Sequence, residues 1–318
     1  MSLNVWMKAL PVILVVFLSA GCSSHGNKIH RFDLAPRFQT GERHTLQLVS
    51  QRTTTEPGKP SASMTTHTEI RLVALESTPN GPVVQWTRGG TIIDDSASRT
   101  IDPIVKAQLD VADGLRMDLL IDARGNGLKI RNWEEVQAKS EPLIDAIMRS
   151  SGIADNPDIQ PEKIRQILRE RFITEQRFLD EAALYFLPIG RSYSTEKPTA
   201  YTGASSNPFG GEPLQTTSAI TLQSFDDTTS RAVLIWEQTF DRQTIRRFSK
   251  SMLYALMPES INGRKTTTDD LLDIKISDAA TFSVDPKTGW VQSASHTHTY
   301  RAGNLTQVDS YTFTLSPG

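Results

Sequence analysis

The chain has 318 residues, with 34 Lys and Arg against 36 Asp and Glu, a net charge of −2. Hydrophobic residues make up 38%, charged residues 22% and aromatic residues 7%, a globular mix that excludes a disordered chain and a coiled coil. The near-neutral balance gives no electrostatic basis for binding nucleic acid, and the single cysteine excludes an internal disulfide framework and a cysteine-based zinc cluster.

The chain opens MSLNVWMKALPVILVVFLSAGCSS, and this stretch reads as an address. Lys8 precedes an apolar run from Ala9 to Ala20, well short of the roughly 20 residues of a spanning helix. The run ends Leu18-Ser19-Ala20-Gly21-Cys22-Ser23, which resembles the lipobox of bacterial lipoproteins. Leu18 stands four residues before Cys22, where three is commoner in that family. The resemblance implies that Leu18, Ser19, Ala20 and Gly21 are read by the signal peptidase, and that Cys22 becomes the acylated N-terminus. Ser23, rather than Asp, implies sorting to the outer membrane. Residues 1–21 are then a signal peptide and 22–40 a lipidated tether, and the mature chain carries 33 basic and 36 acidic residues, a net −3. Several acyl chains make a stable anchor where one would not.

The mature sequence reads twice. Thr65–Trp86 and Gln215–Trp236 align without a gap at an offset of 150. Ile70 matches Ile220, Leu72 matches Leu222, Leu75 matches Phe225, Val83 matches Val233 and Trp86 matches Trp236. Alternation in each segment predicts a hairpin with one inward face. Its turn holds Asn80-Gly81 in one copy and Asp226-Asp227 in the other. Upstream, Gly41 precedes an expected strand Arg43–Thr53, and Gly190 precedes Arg191–Lys197. Polar loops Thr54–Ser63 and Thr202–Pro213 follow. Downstream, Arg116–Ile130 matches Ala279–Ser293 at an offset of 163, so that Asp122 and Asp285 each end a strand and open a turn. The helix-like piece Asp241–Met257 holds the extra residues.

Between the copies lies a helical segment, 132–189. Asn132 with Glu135 has capping-box spacing, Pro142 is expected to restart or kink the helix, and Pro161 suits a first helical position. Two further strands, Trp290–Arg301 and Leu305–Leu315, close the chain. The expected class is α+β: a large curved antiparallel sheet built from two similar β-rich halves, 41–131 and 190–318, related by a pseudo-twofold, with two or three covering helices.

The chemistry of this sequence is sparse. His296-Thr297-His298 can place two imidazoles on one strand face, but zinc needs a further ligand, and Asp285 and Asp309 stand at no known ligand spacing. No metal and no cofactor are therefore expected. Asp226-Asp227 and Asp269-Asp270 are expected to accept backbone hydrogen bonds in turns. No G-x-S-x-G, H-E-x-x-H, P-loop or G-x-G-x-x-G motif is present, and no catalytic residue is expected. Arg242, Arg246, Arg247 and Lys250 make a basic helical face suited to solvent or to anionic headgroups. Trp86 and Trp236, at matched positions, suit either core anchors or the platform of an apolar pocket.

The mature part is similar to uncharacterised β-rich bacterial lipoproteins. They share an opening G-x-x-Y, here Gly190-Arg191-Ser192-Tyr193, and a strand ending Asp-x-x-Gly, here Asp122 to Gly125. Its expected shape also resembles the periplasmic lipoprotein-carrier fold. The resemblance carries no catalytic motif. The function expected is a non-enzymatic envelope module, lipid-anchored on the periplasmic side of the outer membrane, that binds a hydrophobic or extended ligand. A structural or assembly partner of other envelope proteins is the alternative, and a hydrolase without a recognisable motif is a second one.

Overall fold

The computed structural model describes residues 30–94, 103–125, 127–150, 160–205, 213–247, 274–302 and 304–318. In chain order these form β1 (Arg31–Leu34), β2 (Arg43–Thr55), β3 (Ala62–Thr78), β4 (Gly81–Asp94), α1 (Pro103–Ala112), β5 (Arg116–Ile121) and β6 (Leu128–Ile130). The helices α2 (Trp133–Ser150), α3 (Pro161–Phe172) and α4 (Glu175–Tyr185) follow. The remainder is β7 (Arg191–Ser194), β8 (Thr199–Ser205), β9 (Leu214–Asp226), β10 (Arg231–Phe240), β11 (Ile274–Val284), β12 (Val291–Ala302) and β13 (Leu305–Pro317). The protein is mostly β. Among the described residues no helix is long and apolar enough to cross a membrane.

Eleven strands form one antiparallel sheet in the order β6-β5-β4-β3-β2-β13-β12-β11-β10-β9-β8. A pseudo-twofold would reverse the order of one half relative to the other. The order instead repeats, β6 to β2 and then β12 to β8, with β13 between. The expected twofold is therefore corrected to a head-to-tail arrangement. Its cause is the path of the chain. The first half winds outward to β6, the helices carry the chain away, and the second half starts at the far edge with β8 and winds back to β2. β7 does not take the place of β2 in the second half. It pairs with β1 in a separate two-stranded ribbon, and β8 supplies the sheet strand.

The two hairpins agree in strand and face but not in register. Trp86 lies opposite Leu72, whereas Trp236 lies opposite Ile220 rather than Leu222. The first hairpin closes with Thr78 opposite Gly81, the second with Asp226 opposite Arg231, so the second loop is two residues longer. An even shift keeps every side chain on its face, and both tryptophans stay buried. The next pairing holds both offsets: Trp86 and Val84 face Met117 and Leu119, and Trp236 and Leu234 face Ala280 and Phe282.

The turns that follow also match. Asp122 N–H donates to Gly127 O at 3.1 Å and Asp285 N–H to Trp290 O at 3.0 Å. Each Asp side chain accepts from the backbone two residues on, Arg124 at 2.6 Å and Lys287 at 2.9 Å. Gly125 and Gly190, from the two separate motifs Asp-x-x-Gly and G-x-x-Y, meet backbone to backbone. A Cβ on Gly190 would sit 2.2 Å from Gly125 N, and both glycines have positive φ. Tyr193, the last residue of the second motif, is buried and donates its hydroxyl to Pro188 O at 2.6 Å.

The main core lies between one face of the sheet and α4 with the segment after it. Trp86 packs edge-on against Tyr185 and Phe186, and Tyr185 donates to Val291 O at 2.6 Å. Phe38 stacks on Trp290 with ring centres 3.9 Å apart. α1 touches β4, α2 touches α1 and β5, and α4 touches β6. The helix α2 runs through Pro142 without a break. Asn132 does not cap it as a capping box would. Its side-chain oxygen accepts from Asp118 N at 2.9 Å, tying the helix start to β5, while its amide donates to Glu135 at 3.2 Å. The loop expected at Thr54–Ser63 is shorter, since β2 reaches Thr55 and β3 begins at Ala62. Residues 206–212 of the second loop lie outside the described residues.

Candidate functional site

Alternate residues of a strand share a face. On the core-facing side this places one polar row across seven strands. Tyr201 of β8 lies opposite Ser218 of β9, and Ser218 opposite Gln238 of β10. Gln238 lies opposite Asp278 of β11, Asp278 opposite His298 of β12, His298 opposite Asp309 of β13, and Asp309 opposite Arg52 of β2. Three of its six neighbouring pairs are hydrogen-bonded. Gln238 donates to Ser218 Oγ at 2.9 Å, and Arg52 donates through two nitrogens to Asp309, at 2.7 and 3.1 Å.

At its centre Asp278 Oδ1 accepts from two rings: His298 Nδ1 at 2.7 Å and His296 Nε2 at 3.0 Å. A carboxylate only accepts, so both of these ring nitrogens carry the proton. The partner of the His296-Thr297-His298 pair is thus Asp278 of the neighbouring strand. Asp285 sits in its turn and Asp309 holds Arg52. The rings aim at one shared oxygen, a hydrogen-bonded arrangement rather than ligands converging on an ion. Among the described residues no group of three or more His, Cys, Asp or Glu side chains is placed to hold a metal. His296 is 8% exposed and lies between the rings of Trp236 and Tyr311, each centre 5.8 Å away. Its Nδ1 is buried without a hydrogen-bond partner.

Two apolar clusters flank this row. On one side Ile220, Leu222, Leu234, Trp236, Ala280 and Phe282 belong to the main core. On the other, Leu214, Ile245 and Ile274 are buried together against Phe240, Ile276 and Tyr300. The row is open at two points: the Arg52 side chain is 54% exposed and that of His298 32%. Glu181 pairs with Arg88, which donates as well to Thr68 Oγ1 at 3.4 Å.

The hydrogen bond to Asp278 raises the His298 pKa above its ordinary 6.5. Burial opposes ionisation of Asp278, yet the two imidazoles hold its carboxyl below its ordinary 3.8. The signs then fix a window. The raised histidine contributes fully below pH 6.5 and loses its contribution as pH climbs through the folded value. The depressed aspartate contributes above pH 3.8 and loses it as pH falls through the folded value. Stability from the pair is therefore expected to peak between these limits. His298→Gln should remove the decline on the alkaline side. Thermal unfolding from pH 4 to 9 reads this, and an unchanged alkaline decline in the variant would refute it.

The other expected residues are placed as follows. Trp86 is 1% exposed and belongs to the core. Trp236 is also buried but borders the polar row and donates its indole N–H to Tyr201 Oη at 3.0 Å. Asp226 accepts from the backbone and hydroxyls of Thr228 and Thr229, and these bonds lower its pKa to about 2. Arg242, Arg246 and Arg247 are exposed, while Thr244 and Ile245 turn inward. Cys22, Leu18, Ser19, Ala20, Gly21 and Ser23 lie outside the described residues, as do Lys250 and Asp269-Asp270.

No family model matches the chain, and no curated protein does. Several solved chains show a distant likeness, among them the following two. One is lipovitellin, studied for its lipid–protein interactions, at 8% identity and a TM-score of 0.43 over 88% of this chain and 25% of that one. The other is DynF from the dynemicin biosynthesis pathway of Micromonospora chersina, at 8% identity and a TM-score of 0.21 over 92% and 86%. The chain spans about a quarter of the lipovitellin chain. At these scores neither likeness defines a fold or a function.

Proposed function

We propose that this is a lipid-anchored module of the bacterial cell envelope, held by Cys22 on the periplasmic side of the outer membrane, that binds an amphiphilic or extended ligand without catalysis. The observation that carries the binding reading is the polar row bracketed by two apolar clusters on one face of the sheet and open at Arg52 and His298. An amphiphile needs that combination: apolar surface for its chain and hydrogen-bonding groups for its head. His296 Nδ1 is a buried polar atom without a hydrogen-bond partner, and a ligand polar group seated beside it would supply one.

One feature favours the hydrolase alternative. An imidazole oriented by a carboxylate is the base half of a nucleophilic triad. Among the described residues, however, no serine or threonine hydroxyl is bonded to His296, whose only polar bond is to Asp278. The non-catalytic reading is therefore preferred.

The test is recovery of the full chain from detergent-solubilised membranes, with mass analysis of the N-terminus and of co-purifying lipids. The expected result is a mature chain beginning at acylated Cys22, with a lipid-like species that is depleted at least fivefold in His296→Phe. A chain still beginning at Met1 would overturn the anchor. Equal lipid recovery from both proteins would overturn the site, and ester turnover well above background would overturn the non-catalytic reading.

A further inference from the structure

We propose that the protein forms a twofold dimer by pairing β8 with β8 of a second copy, edge to edge, so that one sheet runs through both. This does not depend on the ligand reading above. The two edges of the eleven-stranded sheet differ in how they are protected. β6 has three residues with exposed Lys129 at its centre and Arg131 directly after it. Shortness and positive charge are the ordinary defences of an edge. β8 has neither. It is seven residues long, Thr-Ala-Tyr-Thr-Gly-Ala-Ser, with no charge and no internal proline, and it pairs continuously with β9 from Thr199 opposite Ile220 to Ser205 opposite Leu214. On its other side no strand among the described residues pairs with it. Alternate N–H and C=O groups there are left for another strand.

The sequence of β8 indicates which strand that is. An antiparallel partner of the same sequence centred on Thr202 sets Thr202 opposite Thr202, Ala200 opposite Ala204, Tyr201 opposite Gly203 and Thr199 opposite Ser205. Every pair is compatible. Threonine pairs across a ladder are favourable, and small residues face small ones. Each tyrosine faces a glycine, so two bulky side chains never meet across the seam. The Tyr201 ring leans over its own sheet, where Trp236 donates to its hydroxyl and the Arg191 guanidinium lies 4.3 Å from its ring centre, so it leaves the outer edge of β8 uncovered. No like charges meet, since the strand carries none. The exposed face of the seam is formed by Ala200, Thr202 and Ala204.

The geometry gives a position-specific test on the full chain in membranes. Thr202→Cys is expected to form a reducible cross-link at twice the chain mass, because the two copies of this residue face each other within disulfide reach. Ala200→Cys or Ala204→Cys alone is expected to give none, and the two expressed together should cross-link. The parent chain, whose sole cysteine is Cys22, is the blank. In sedimentation, Thr202→Lys should reduce two copies to one with an unchanged circular dichroism spectrum, and Thr202→Ser should keep two. Absence of the Thr202→Cys cross-link, equal cross-linking at all three positions, or a monomeric parent chain would each overturn the dimer, as would a partner strand from a different protein found at β8.

Discussion

Gly190→Ala is expected to cost about 3–5 kcal/mol of stability and to lower the melting temperature by on the order of 10 °C. Two effects add. Gly190 has φ +80°, where a side chain is strained. Its new methyl would also overlap backbone that cannot yield, 2.2 Å from Gly125 N and 2.6 Å from Gly125 Cα. Relief requires the turn after β5 to separate from the segment leading into β7, and that junction ties the first half to the second. Gly41→Ala is the control. Gly41 has φ +86° but nothing within 4 Å of an added Cβ, so only the backbone term of about 1 kcal/mol applies. Thermal unfolding followed by circular dichroism separates the two. Equal losses would show that backbone strain, not the meeting of the two turns, sets the requirement.

Trp86→Ala is expected to cost about 3–5 kcal/mol, the range for large aromatic truncations in a packed core. The side chain is 1% exposed, faces Met117 across the sheet and lies edge-on to Tyr185 and Phe186. Losing it opens a cavity where β4 meets α4. Trp133→Ala removes a partly buried indole that touches Phe178 and should cost less than half as much. Denaturant midpoints at constant slope measure both. A loss near 1 kcal/mol for Trp86→Ala would mean that it lines space rather than fills it.

Much of the fold was legible because strands announce themselves by alternation. The hairpins around Trp86 and Trp236, the turns at Asp122 and Asp285, and the closing pair β12 and β13 could be read from residue spacing. Register could not. Loop closure set it, and the two extra residues between Asp226 and Arg231 left no mark on an ungapped match. The place of β7 is hidden from the sequence for a related reason. A strand of four residues reads the same whether it extends the sheet or leaves it, and its pairing with β1 depends on contacts far away in sequence.

The polar row was legible only in part. His296 and His298 stand two apart, and their shared face follows from that spacing. Asp278 belongs to the neighbouring strand, and Arg52 reaches Asp309 across 257 residues. One signal was available for Asp278. It is an acid at an inward position of an alternating strand, between Ile276 and Ala280, where burial demands a partner. Asn132 shows the converse, since its spacing fits a capping box but its oxygen serves β5 instead.

The position of β13 governs the order in which the molecule can be assembled. It pairs with β2 from Thr55 opposite Thr306 to His44 opposite Pro317, strands separated by roughly 250 residues of chain. Until β13 has been synthesised, β2 and β12 both present open ladders, and neither half can close on the other. During that interval the chain resembles a pair of unfinished sheets, the form in which nascent proteins are most readily captured by chaperones or cut by proteases. A product interrupted before residue 305 keeps this exposure permanently, so the seam strand separates finished molecules from interrupted ones without any dedicated sensor.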